Sequence, residues 1–159
     1  NKYDYTIVVC YKKNGLWQEE RFAITTDPGL YWLHHPMNVK GTAVLCPGQH
    51  SSSWAIGKHR GKYEALVQIK PLKVFRDSNK DDIIDMDPNT VREGLYGINI
   101  HRSGRGRQEM VNKYSAGCQV FSDFHDFNAF MFLCEKQVDE RGWKTFTYTL
   151  LTEPEDASL

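Results

Sequence analysis

His101 and Cys118 are the two residues whose types and setting fit nucleophilic chemistry. The stretch Ile98–Phe121 reads INIHRSGRGRQEMVNKYSAGCQVF: an apolar strand ends on His101, a polar loop follows, and Cys118 comes after Ser115-Ala116-Gly117. A cysteine attacks an acyl carbon as the thiolate, so it needs a base within reach and N–H donors for the developing oxyanion. His101, fixed at a strand end, is the candidate base. Gly117, lacking a side chain, would let substrate approach and leave backbone N–H groups free to donate. By the strand period of two, Asn99 lies on the same side as His101 and is a candidate to orient the ring, as is a carbonyl or side chain near Arg102 or Ser103. The competing reading is a strand, a surface loop and a buried thiol.

The other cysteines fit the bland reading better. Cys10 in TIVVCYK and Cys134 in FMFLCEK have apolar neighbours, as core thiols do, and no C-x-x-C pair or dense disulfide framework is present. Cys46, His50 and His59 lack the paired spacing of a zinc site. The DSNKD segment opens like a calcium loop, but Pro88 stands where the bidentate glutamate belongs. No metal or cofactor is expected. Lys+Arg and Asp+Glu number 20 each and the pI is near 7.2, so no charge excess points to a nucleic acid or an anionic membrane. No apolar run is long enough to span a membrane.

The elements that must position the pair read mainly as strands. DYTIVVCYKK and LWQEERFAITT flank Lys13-Asn14-Gly15 as a hairpin; GLYWLHHP, GTAVLCPG, SSSWAIG and YEALVQIKPLKVFRD follow as further strands. An acidic loop from Asp77 to Gly94 holds a short helical turn at Pro88–Glu93. LYGINIHR then leads into the cationic loop of Arg102, Arg105 and Arg107, whose hairpin-like excursion would return the chain to GCQVF. Ser122 opens the one principal helix, with Phe124, Phe127, Phe130, Met131, Cys134 and Val138 as its core stripe and Gly142 as its end. WKTFTYTLL closes the sheet. The expectation is one mainly β domain over residues 1–152 with one principal helix, and an acidic tail over 153–159.

A histidine followed at this distance by SAGC resembles the L,D-transpeptidase catalytic domain, the YkuD-like family, in which the cluster reads Ser/Thr-His-Gly-Cys. The resemblance covers Gly97 to Val120, and GKHRGKYEAL at Gly57–Leu66 is similar to the family's Thr-Pro-x-Gly-x-Phe segment. It implies a twisted β-sandwich or barrel, Cys118 as nucleophile, His101 as base, and Ser115 and Gly117 as motif positions. His59, Asn99, Arg102, Ser103 and Gln119 would be substrate-binding. The implied partner is a peptidoglycan stem peptide: Cys118 attacks the carbonyl of its third residue and expels the terminal D-residue. Water or an amine then resolves the thioester, so the enzyme would be a carboxypeptidase or a transpeptidase. Location in the periplasm or cell envelope follows, with a phage-encoded or delivered protein as a variant. Two positions depart from the family: Ala116 replaces the motif histidine, and Gln119-Val120 stands where an apolar residue and Arg or Asn are usual. They favour hydrolysis or exchange over cross-linking. The alternative is an inactive domain that binds wall fragments or a protein.

Overall fold

Asn14 and Gly15 both have positive φ (52° and 79°), as a type I′ turn requires, and they set the register of the first hairpin. Strands β1 (Tyr5–Lys13) and β2 (Leu16–Thr25) pair antiparallel from Tyr5↔Ile24 to Lys13↔Leu16. The hairpin joins a seven-stranded sheet in the computed structural model, which describes residues 1–152; the acidic tail expected at 153–159 lies outside the described residues. The other strands are β3 (Thr42–Leu45), β4 (Gly48–His59), β5 (Tyr63–Gln68), β6 (Leu72–Asp77), β7 (Arg92–Gly94), β8 (Ile100–Arg102), β9 (Gln119–Phe121) and β10 (Phe146–Leu150). The large sheet runs β1-β2-β9-β8-β5-β4-β10, and a small one runs β3-β6-β7. The chain is one mainly β domain with a curled sheet and one main helix.

The structure departs from the sequence expectation in several places. The helical turn expected at Pro88–Glu93 ends at Thr90 and Arg92–Gly94 is a strand, and Cys10, expected as a core thiol, is exposed on the first hairpin. GLYWLHHP is not a strand: Leu30–His34 forms a short helix, α1, with Leu33 buried at 1% exposure. Tertiary contacts override the strand propensity of its aromatics, because the Gly29 N–H donates to Ser115 O and the Trp32 indole N–H donates to Lys113 O. YEALVQIKPLKVFRD is two strands, not one. It breaks at Ile69-Lys70-Pro71, where proline removes a ladder donor, and β5 and β6 enter different sheets.

Helix α2 (Phe124–Arg141) starts one residue later than Ser122 would suggest, because Asp123 is its N-cap and accepts from the N–H groups of His125 and Asp126. Gly142, at φ 67°, ends it in the left-handed conformation that glycine adopts without penalty. Phe127, Phe130, Met131 and Cys134 are its buried residues and join a core built around Trp54, Leu66, Ile100 and Phe121. Trp54 is fully enclosed, and its indole N–H donates to Ile98 O at 2.7 Å, which ties β4 to the segment leading into β8. Among the described residues, no helix is long and apolar enough to cross a membrane.

Because Cys134 is buried against this core, Cys134→Ala is expected to lower stability by about 1–2 kcal/mol, as the loss of a small buried group does. Urea unfolding at pH 7 checks this, and unchanged stability would show that the α2 face tolerates the cavity.

Candidate active site

The site is built on a parallel pair, not on the hairpin the loop suggested. Strands β8 and β9 pair parallel with Ile100↔Gln119, His101↔Val120 and Arg102↔Phe121, and the Gln119 N–H donates to Asn99 O at 3.0 Å. The loop between them therefore crosses back to the start of β8 before β9 begins, as a parallel connection must. This register sets Cys118 abreast of Asn99 and places the side chains of Cys118 and His101 on one face of the sheet. From the other side, β5 pairs with β8 through Leu66↔Ile100, and β4 pairs with β5 out to His59↔Tyr63. That pairing brings His59 over His101, with ring centroids 3.9 Å apart and planes 23° from parallel.

Hydrogen-bond partners assign the tautomers. His101 Nδ1 lies 2.7 Å from Arg102 O, which can only accept, so Nδ1 carries the proton and Nε2 is the free basic nitrogen. The Tyr63 hydroxyl donates to the same carbonyl at 3.2 Å and sits 3.3 Å from Nδ1. Asn99 Oδ1 accepts from the Gln68 N–H, so its amide nitrogen faces His59 Nδ1 at 3.0 Å and donates to it. The His59 proton is therefore on Nε2.

Charge is absent from this cluster at neutral pH. Burial, reinforced by His59 and Arg60, lowers the His101 pKa to about 3, against the pull of the Arg102 carbonyl. Burial, with Arg60 and Lys62, lowers His59 to about 4. Burial pushes the Cys118 thiol up to about 11, against the opposing effects of the Asn99 N–H and Arg60. Cys118 Sγ donates to Gly97 O at 3.3 Å and accepts from the Asn99 N–H at 3.5 Å, and it makes no hydrogen bond to His101 among the described residues. The resting pair is a thiol and a neutral imidazole, not the ion pair that a readily labelled thiolate would need.

The motif loop is held from below. Ser115 is fully buried, its hydroxyl donates to Cys118 O at 2.8 Å, and it accepts from the Gly117 N–H at 3.2 Å. Ser115 thus shapes the turn from the buried side. Gly117 has φ 111°, and a Cβ there would collide with the Ala43 carbonyl oxygen. The glycine is required by that close approach of two backbones, and its N–H is already engaged. The Cys118 N–H has no hydrogen-bond partner among the described residues, which leaves it free to meet an oxyanion.

Of the expected substrate contacts, Gln119 and Ser103 are turned into the core, while Asn99 and Arg102 stay at the site with other partners. Gln119 is wholly buried on the opposite face: its amide oxygen accepts from the Tyr148 hydroxyl at 3.1 Å and its nitrogen points to Gly117 O, so it cannot reach a substrate. Ser103, 8% exposed, donates to Ser122 O. Asn99 holds His59 and the β5 backbone instead of His101. Arg102 stacks on Tyr63 and Phe124, with its guanidinium 4.2 and 5.2 Å from the ring centroids, and donates to Gly104 O. Of the expected substrate-binding residues, His59 stacks on the His101 ring and Arg102 meets it through its backbone carbonyl. Tyr63 was not singled out by sequence, although it fills the aromatic position of the Gly-x-Phe echo at Gly61-Lys62-Tyr63. Cys46, His50 and His59 do not converge: His50 bonds the Cys46 carbonyl, and His59 is at the far end of β4. Among the described residues, no three His, Cys, Asp or Glu side chains are grouped to hold a metal ion.

No family model matches this chain, and no curated protein or solved structure matches it significantly.

Two buried neutral histidines make stability depend on pH. Both bind protons more readily once unfolded, so their contribution is complete above about pH 6.5 and is lost as pH falls towards 4 and then 3. Unfolding in that window takes up as many as two protons, a slope of up to about 2.7 kcal/mol per pH unit. Urea midpoints at pH 7, 6 and 5 are expected to fall accordingly, with His59→Gln reducing the slope to about half or less. Stability flat across this range would contradict the neutral pair.

Proposed function

We propose that the domain is a cysteine-dependent acyl-transfer enzyme acting on peptidoglycan stem peptides, with a YkuD-like sandwich or barrel as its scaffold and the periplasm or cell envelope as its place of work. The observation that carries the reading is the shared face of β8 and β9, on which Cys118, abreast of Asn99, points to the same side as a histidine whose Nδ1 is fixed by the Arg102 carbonyl. A carbonyl oxygen in that role sets the tautomer as a carboxylate does in other nucleophile–base sites, and it adds no net charge.

The chemistry follows from the neutral resting state. Substrate entering the site displaces the Cys118 thiol from Gly97 O. The Sγ–H proton passes to His101 Nε2 as sulfur attacks the carbonyl carbon of the third stem residue, forming the C–S bond and an oxyanion that the Cys118 N–H can receive. His101 then returns the proton to the leaving nitrogen, the C–N bond breaks, and the terminal D-residue departs as a free amino acid. The thioester is resolved by water, giving a tripeptide, or by an amine, giving an exchanged or cross-linked product. Ala116 offers no hydrogen bond to an acceptor, and Gln119 is sealed in the core, so hydrolysis and exchange are favoured over 3–3 cross-linking.

A second reading is favoured by one observation: the thiol is protonated and bonded to Gly97 O, as expected for a remnant dyad in a domain that binds wall fragments or a protein without turnover. The two readings part on muropeptide mass spectrometry. Tetrapeptide muropeptides incubated with the protein are expected to yield tripeptide or exchanged tetrapeptide, with 3–3 dimers in the minority. Cys118→Ala should abolish all products while retaining the fold, and His101→Ala should slow them at least about 100-fold. Absence of any product with the unaltered chain would support the binding domain, and product from Cys118→Ala would remove the nucleophile assignment.

A further inference from the structure

A cavity of about 270 Å³ opens beside the motif loop, lined by Asn38, Thr42, Ala43, Arg76, Tyr96 and Ala116 among others. Arg76 is 8% exposed, yet it forms no ion pair with any acid among the described residues. Its Nη1 donates to Gly41 O at 3.1 Å, its guanidinium lies 4.3 Å from the Tyr96 ring centroid, and its Nε has no hydrogen-bond partner. The following residue, Asp77, alternates to the other side of β6, where its carboxylate accepts from the Asp85 N–H. A buried guanidinium without an anion is expensive to desolvate, and one carbonyl and one ring face offset only part of that cost. The group that restores the balance is an anion small enough for the cavity and planar enough for the guanidinium fork, which describes a carboxylate.

The location says which carboxylate. Ala116 stands two residues before Cys118, the Ala43 carbonyl packs beneath Gly117, and Tyr96 precedes Gly97, whose carbonyl accepts the Cys118 thiol. The cavity therefore adjoins the nucleophile along the motif loop. We infer that the Arg76 cavity is a carboxylate subsite that takes the free C-terminus of a peptide whose preceding carbonyl meets Cys118. The identity of the peptide rests on the acyl-transfer reading; the carboxylate preference rests on the cavity alone. Such a subsite selects a chain end over a peptide interior, because an amide cannot pair with the buried cation.

The test uses the non-reactive Cys118→Ala protein with N-acetyl-D-alanine and N-acetyl-D-alanine amide as probes, followed by amide NMR shifts of Gly41, Thr42 and Ala116. The acid is expected to bind at least about tenfold tighter than the amide at this place, and Arg76→Met in the same background should erase the difference. No acid-over-amide preference, or no movement of these amides, overturns the subsite. That comparison needs no change at Arg76, so it decides even where Arg76→Met does not fold. Acid preference without tetrapeptide turnover by the unaltered chain would keep the subsite and retire the acyl-transfer reading; turnover without the preference would retire only the subsite.

Discussion

The parallel pairing of β8 with β9 is the constraint on which the rest of the site depends. Two short strands, joined by a long polar crossover, set His101 and Cys118 on one face because Ile100 is matched to Gln119 and not to a neighbour. A slip of one residue would turn Cys118 into the core and bring Gln119 to the surface. The register is fixed on the buried side, where Ile100, Gln119 and Phe121 pack around Trp54 and the stripe of α2, and by the Trp54 indole that grips Ile98 O. Hydrophobic packing on one face thus determines which side chains the other face presents.

On the open face, the cluster is polar but uncharged. Two members are held by backbone, His101 by Arg102 O and Cys118 by Gly97 O and the Asn99 N–H, and His59 is held by the Asn99 side chain, whose other amide atom accepts from the Gln68 N–H. Main-chain partners fix geometry without adding charge to a buried site, and this is compatible with two stacked imidazoles, since a proton on one disfavours a proton on the other. The charge that the described cavity does hold is at Arg76, to one side of the thiol. A neutral cluster beside an unpaired buried cation leaves a local positive field that an anion would offset.

How much of this was legible in the sequence follows from where the forces act. The Asn-Gly turn and the Gly142 end of α2 are local chemistry, and they read correctly, while the start of α2 was placed one residue early because Asp123 and not Ser122 is the cap. The candidate dyad was visible because the strand end at His101 and the small residues before Cys118 are local as well. The α1 segment was misread because its helix depends on contacts with Lys113 and Ser115, far along the chain. Gln119 was misassigned although the signal was present: a residue adjacent to Cys118 on a strand must face the other way. Ser115 and Gly117, expected as motif positions, shape the turn: the Ser115 hydroxyl holds Cys118 O, and Gly117 passes close to the Ala43 carbonyl. Arg76 carried no signal, because an arginine in LKVFRD looks like any strand residue until β3 and the motif loop close over it.

The central claim is that Cys118 accepts an acyl group from a stem peptide. Intact-protein mass spectrometry, on samples mixed with tetrapeptide and quenched in acid within the first turnovers, tests it most directly. A mass gain equal to the tripeptide acyl group is expected, mapped by digestion to the peptide containing Cys118, and lost on treatment with hydroxylamine as a thioester is. D-alanine release with no adduct at Cys118, or an adduct on Cys10, Cys46 or Cys134 instead, would contradict it.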